Sequence, residues 1–139
     1  MRLSSGLAAG YRHVCYVFLK RGQGGVLEAA LGIRWIVEPG NALDRHLVTG
    51  GGVYSPLIPD LLPRLGDSES MACDVGSNAG YWALPMARFF GSVHAFEADS
   101  RMFQKIQTNV AANPDLQQRI KLTNAAVSAS DGRAHFSLR

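Results

Sequence analysis

The chain has 139 residues, of which 47% are hydrophobic and 18% charged, with a formal net charge of +3. This is the balance of a globular protein with a core, not of a disordered segment. Its lysines and arginines are scattered and form no basic stripe, which argues against nucleic acid as a partner. The longest apolar stretches fall short of the roughly 18 residues that span a bilayer, so stable membrane insertion is not expected. Cys15 and Cys73 fit no C-x-x-C or zinc spacing, and His13, His46, His94 and His135 are solitary. No metal site is expected, and the cysteine usage suggests a reducing, cytoplasmic setting.

In chain order, Leu3, Leu7, Tyr11, Val14, Cys15, Phe18 and Leu19 recur at spacings of three and four, a helical stripe that Gly22–Gly25 breaks. A second apolar run, Val26 to Val37, stops before the turn pair Pro39-Gly40. Gly50–Gly52 reads as a bend and not as a ligand loop, because no strand-to-helix context flanks it. Leu61, Leu62 and Leu65 suggest a short helix packing against the sheet and ended by Gly66, and Tyr54 is a candidate to approach a ligand. Residues 1–66 are therefore read as a partly helical N-terminal extension, and residues 67–139 as a second unit.

That second unit opens on the most informative stretch, Met71 to Asp99. Cys73 to Val75 close a mostly apolar strand, where a small buried thiol is the usual occupant. A glycine turn and a helix follow, the helical stretch ending near Phe89 and Phe90. Val93, Ala95 and Phe96 then form a short strand that delivers Glu97. Asp99 or Ser100 caps the next helix, whose Met102, Phe103, Ile106 and Val110 should face the sheet, and Asn113-Pro114 ends it. Ile120, Leu122 and Ala125 to Val127 are assigned to a third strand. Asp131-Gly132 turns into a final strand, Ala134 to Leu138.

The turn reads Asp74, Gly76, Asn78, Gly80, that is D-x-G-x-N-x-G. In an α/β nucleotide fold the ligand crosses the carboxyl ends of the strands, where glycines let the backbone approach it. The following helix should offer free N–H groups and a positive dipole end. A carboxylate beside this turn suits the ammonium and sulfonium of S-adenosylmethionine and would repel a pyrophosphate. Glu97, about 20 residues past the turn, has the spacing of an acid that accepts from both ribose hydroxyls. An NAD-dependent oxidoreductase is the weaker alternative, because Asn78 and Tyr81 stand where G-x-G-x-x-G requires glycines.

These residues resemble the first half of an S-adenosylmethionine-dependent methyltransferase of the FkbM type. DVGSNAGYWAL is similar to its cofactor turn, HAFEADSRMFQKIQTNVAANP to its second strand and helix, and NAAVSASDGRAHFSL to its third strand; DRHLVTGGGVYSPLIPDLLPRL is similar more weakly. The chain departs from the family at Ala98, where proline commonly follows the acid, and at Pro85 inside the first helix. The resemblance implies a Rossmann-like class I sheet with helices on both faces and O-methyl transfer to a small hydroxylated molecule or sugar. It also implies a cofactor site of Asp74, Gly76, Ser77, Asn78, Gly80 and Glu97, with Asn124 and Ala125 at the adenine. No catalytic base can be named.

Because the sheet of that family continues past its third strand, the expectation is of an incomplete fold inactive alone, with an uncovered sheet prone to self-association. The rival of another class is a non-catalytic remnant or assembly subunit.

Overall fold

A computed structural model describes residues 2–3, 24–38, 40–55 and 57–133. The helical stripe at 3–19 and the final strand at 134–138 lie essentially outside the described residues. Strands β1 (Arg2–Leu3), β2 (Gly25–Glu28) and β3 (Arg34–Val37) form one small sheet. β2 and β3 are antiparallel, with Leu27 opposite Trp35, and β1 runs parallel to β2. The apolar run Val26 to Val37 is thus a hairpin. Its apolar residues alternate, so Leu27, Trp35 and Val37 turn inward while Arg34 stays exposed. Leu31 and Gly32, both at positive φ, close it.

Helices α1 (Ala42–Thr49) and α2 (Leu57–Leu65) follow. Asn41 caps α1 by accepting from the amides of Leu43 and Asp44. Gly50 to Gly52 end it with amides returned to carbonyls of its last turns, so the triple glycine is a helix terminus. Gly52 also passes so close to Ala29 that a Cβ there would collide with it. In α2, which Gly66 ends, Ile58 and Leu62 are buried, whereas Leu61 and Leu65 of the expected packing face are exposed.

The remaining elements alternate: β4 (Met71–Val75), α3 (Ala83–Met86), β5 (Ser92–Phe96), α4 (Ser100–Ala111), α5 (Pro114–Gln117) and β6 (Ile120–Thr123). β4, β5 and β6 are parallel and lie side by side in sequence order, the geometry of successive β-α-β units. The chain is therefore a mixed α/β, Rossmann-like fold built on this parallel sheet. Two boundaries differ from expectation. Helix α3 has four residues, with Pro85 among them, and the stretch continues to Phe90 as turns whose amides return to Pro85 and Met86. The third strand ends at Thr123, and Ala125 to Val127 are exposed and outside it.

One core joins the hairpin, α1 and the layers of the parallel sheet. Leu27, Trp35 and Val37 of the hairpin and Leu47 of α1 belong to the same buried cluster as Leu84, Val93, Ile106 and Leu116. Of the helix α4 stripe, Ile106 and Val110 are buried, while Met102 and Phe103 are half-buried. Asn109 and Asn113 supply what apolar residues cannot, namely hydrogen bonds to the free edge of β3. Asn109 Oδ1 accepts from the Ile36 amide at 2.9 Å, and Asn113 accepts from the Arg34 amide and donates to its carbonyl at 2.8 and 2.7 Å. Arg88 adds a clasp, donating to Asp115 and to the Gly32 carbonyl.

The opposite face of the parallel sheet differs. Met71, Cys73 and Val75 alternate on β4 and are exposed, so Cys73 is a free thiol on an open face and not the buried occupant expected of a central strand. His94 and Phe96 stand beside Cys73 and Val75 in register, with their rings 4.1 Å apart.

Candidate ligand site at the carboxyl ends of the parallel strands

The strand register assembles the site. Val75, Phe96 and Thr123 form one row across the sheet, so Gly76, Glu97 and Asn124 are the next residues on three adjacent strands. Motifs far apart in sequence, Glu97 and Asn124 by 27 residues, are thereby neighbours in space.

The turn after β4 needs positive φ at Gly76 (77°), Asn78 (52°) and Gly80 (89°). Asn tolerates that region better than other residues with a Cβ, which explains it between two glycines. The two glycines do different things. A Cβ on Gly76 would meet nothing within 4 Å, so this glycine borders open space; one on Gly80 would lie 2.9 Å from Ile106 Cγ1, so this glycine lets α4 pack on the turn.

The turn's amides are already engaged. Gly76 and Ser77 both donate to the Phe96 carbonyl at 2.9 Å, Asn78 donates to Glu97 Oε2, Ala79 to Asn78 Oδ1 and Gly80 to the Ser77 carbonyl. The expectation of free amides for an anion is thus corrected, and a four-residue α3 offers little dipole. Glu97 is buried and likewise engaged: Oε2 accepts from Asn78 at 2.7 Å and Oε1 from Asp99 at 2.8 Å. Each oxygen keeps a further lone pair.

Asp74 is different. Among the described residues its Oδ2 is buried without a hydrogen-bond partner. Burial pushes its carboxyl above the usual carboxylate range; the Ser77 hydroxyl and Ala83 amide pull it back, and the charge of Glu97 raises it further. Ser77, itself buried, donates to the Asp74 main-chain carbonyl at 2.8 Å.

Asn124 reaches across from β6. Its Nδ2 donates to the carbonyls of Glu97 (2.7 Å) and Ala98 (3.3 Å), and its Oδ1 accepts from Ser100. The side chain fastens the β5 strand end, 27 residues away, and does not close its own turn. Ala125 is exposed beside it. Val75, Phe96, Ala98, Asn124 and Ala125 share the wall of a cavity of about 1060 Å³ that residues up to Arg133 complete. Asp99, not Ser100, caps α4, accepting from the Arg101 amide.

Sequence reasoning missed a second layer behind the turn. Tyr81 is buried, its ring stacked on Tyr54 (4.9 Å, 12°) and tilted against Trp35 (5.6 Å). Tyr54, expected near a ligand, is thus a packing partner of the turn. The Tyr81 hydroxyl donates to Asp44 Oδ1 at 2.8 Å, and Lys105 Nζ donates to Asp44 Oδ2 at 2.6 Å. Burial, followed by the Asp44 charge, raises the Tyr81 pKa far above its ordinary value. No spacing rule connects Asp44, Tyr81 and Lys105; the only signal was a tyrosine placed directly after Gly80.

Among the described residues no three His, Cys, Asp or Glu side chains are grouped as a metal would require, and no helix is long and apolar enough to cross a membrane.

No family model matches the sequence, and no curated protein matches it. Solved structures do resemble the fold. The presumed transferase PH0793 of Pyrococcus horikoshii matches 83% of this chain and 47% of its own at 15% identity, with a TM-score of 0.54. The N-terminal domain of human METTL16, in complex with SAH, matches 91% and 60% at 15% identity and a TM-score of 0.46. An rRNA methylase from Streptococcus thermophilus matches 50% and 38% at 21% identity and a TM-score of 0.44. The chain spans no more than 60% of any of these proteins. At 15% identity the likeness to the first of these proteins is one of fold alone. The FkbM resemblance and the expectation that nucleic acid is no partner receive no support from these matches.

Proposed function

We propose that this chain binds S-adenosylmethionine at the carboxyl ends of β4 to β6 and serves methyl transfer. In the finer form of this reading, it is of the FkbM type and the acceptor is a hydroxyl of a small molecule or sugar. The observation that carries the reading is the pairing of a buried, unpartnered Asp74 oxygen with a turn whose amides are already bonded. Such a turn has little to offer a pyrophosphate, which needs amide donors. Its unused capacity is a negative side chain, which suits a ligand carrying an ammonium group.

The residues fit the cofactor in kind. Asp74 would hold the ammonium, Glu97 would accept from the ribose through its remaining lone pairs, and Asn124 and Ala125 would border the adenine. Gly76, with open space where a Cβ would stand, would let the ligand lie against the backbone. When bound, S-adenosylmethionine supplies an activated methyl group on a sulfonium. The chain's own share is to orient the donor and shield it from water.

Calorimetric titration with S-adenosylmethionine, S-adenosylhomocysteine and NAD tests the assignment. Binding of the first two and not the third is expected, with loss of affinity in Asp74→Ala. Preference for NAD, or an affinity indifferent to Asp74, overturns it.

A further inference from the structure

The ligand turn is held from behind by residues that no cofactor motif contains. Three consecutive residues are gripped: Ala79, whose carbonyl accepts from Asn109 Nδ2 at 2.8 Å; Gly80, against Ile106; and Tyr81, through its hydroxyl on Asp44. Asp44 lies on α1, 37 residues before Tyr81. Its second oxygen takes Lys105 Nζ at 2.6 Å and the Glu38 amide at 2.9 Å, and Lys105 also meets Glu38 at 3.3 Å. Asp44 and Lys105 are both almost fully buried. A buried carboxylate held by an ammonium, an amide and a phenol has one arrangement that satisfies all its partners, and any other leaves charge or donors unpaired.

We propose that Asp44 is a positioning residue for the turn at residues 76–80, holding it through Tyr81 in the conformation that receives the ligand. This rests on the reading of that turn as a ligand site. Asp44 touches no ligand; it acts by fixing the Tyr81 ring, already clamped between Trp35 and Tyr54, and with it the chain direction out of Gly80. The positive φ at Asn78 needs such support, because a residue with a Cβ does not prefer that conformation in the free chain. Control of the site thereby comes from the segment that precedes the cofactor motif.

The deciding variant is Tyr81→Phe, which removes one oxygen and keeps the ring packing; Asp44→Asn and the double variant complete a cycle. Two measurements are made on folded protein: amide exchange at Asn78 to Tyr81, and affinity for S-adenosylmethionine. Exchange in that stretch should quicken in Tyr81→Phe while strands β5 and β6 keep their protection, and affinity should fall by about five- to tenfold, as for one lost hydrogen bond. The two single losses should not add, since Asp44 acts through Tyr81. A Tyr81→Phe protein with wild-type exchange at residues 78–81 overturns the proposal, as do fully additive losses, which would mark Asp44 as merely structural. Quickened exchange in a protein that does not bind S-adenosylmethionine even as wild type supports the positioning role and refutes the cofactor.

Discussion

The main-chain N–H of Asn78 donates to Oε2 of Glu97 at 2.7 Å, so the acid at the tip of the second parallel strand holds the turn at the tip of the first. Glu97 therefore has a structural duty beside the ligand role proposed for it. Glu97→Ala strands the amides of Asn78 and Asp99 and should lower unfolding free energy by about 2–3 kcal/mol, on the usual cost of unsatisfied buried donors. Urea denaturation measures this. A Glu97→Ala protein as stable as wild type would show that water satisfies both amides.

Asp74 should behave in the opposite way. Its carboxyl sits above the ordinary range in the folded protein, so ionisation costs stability at neutral pH; that cost shrinks as pH falls through the folded-state value and is gone below the unfolded one. Asp74→Asn should be more stable than wild type at pH 7 by about 1 kcal/mol, the lower end of the cost of a buried unpaired group. The advantage should vanish in acid. Thermal melts from pH 7 to pH 3 test the sign, and a stability loss at pH 7 would mean that Asp74 is already well satisfied.

The two turn glycines should separate on substitution. Gly76→Ala meets only the backbone penalty of positive φ, about 1–2 kcal/mol, and projects a methyl into open space. Gly80→Ala adds a contact at 2.9 Å with Ile106, for a further 1–3 kcal/mol on the usual scale of overpacking. Trimming Ile106 to Val in the Gly80→Ala background removes the 3.2 Å contact with Cδ1 but keeps Cγ1, so it should leave the backbone term untouched and relieve only the lesser part of the clash. Equal destabilisation by the two glycine variants would contradict the packing role of Gly80.

Lys105→Met leaves the Asp44 carboxylate buried without its cation and should cost about 3–5 kcal/mol. Replacing Asp44 and Lys105 together by apolar residues should cost less than the sum of the two single losses, while still stranding the Tyr81 hydroxyl and the Glu38 amide. Chemical denaturation of the single and double variants decides; an additive double variant would show that the pair is not coupled.

The parts of this protein legible in its sequence were those with local signatures. Asp74, Gly76 and Gly80 announce a turn because positive φ selects glycine, and Glu97 follows at strand-helix-strand spacing. The hairpin at 25–37 was not legible, since a continuous apolar run fits a buried strand as well as a buried helix. The occupancy of the turn's amides was hidden too, because it depends on the Phe96 carbonyl and the Glu97 carboxylate arriving from another strand. Nothing in the spacing of Asp44 and Lys105 marks them as partners, and only tertiary packing makes them a buried pair.

Asn113 binds both main-chain groups of Arg34, a residue 79 positions earlier. A ribosome adding roughly 5–20 residues per second needs roughly 4–16 s to make the intervening chain. Throughout that interval the outer edge of β3 lacks the side-chain amides that later occupy it, while Trp35 and Val37 wait for the core that buries them. Until helix α4 is made, the edge of β3 has no partner for its main-chain groups, a liability that Asn109 and Asn113 remove only late in synthesis.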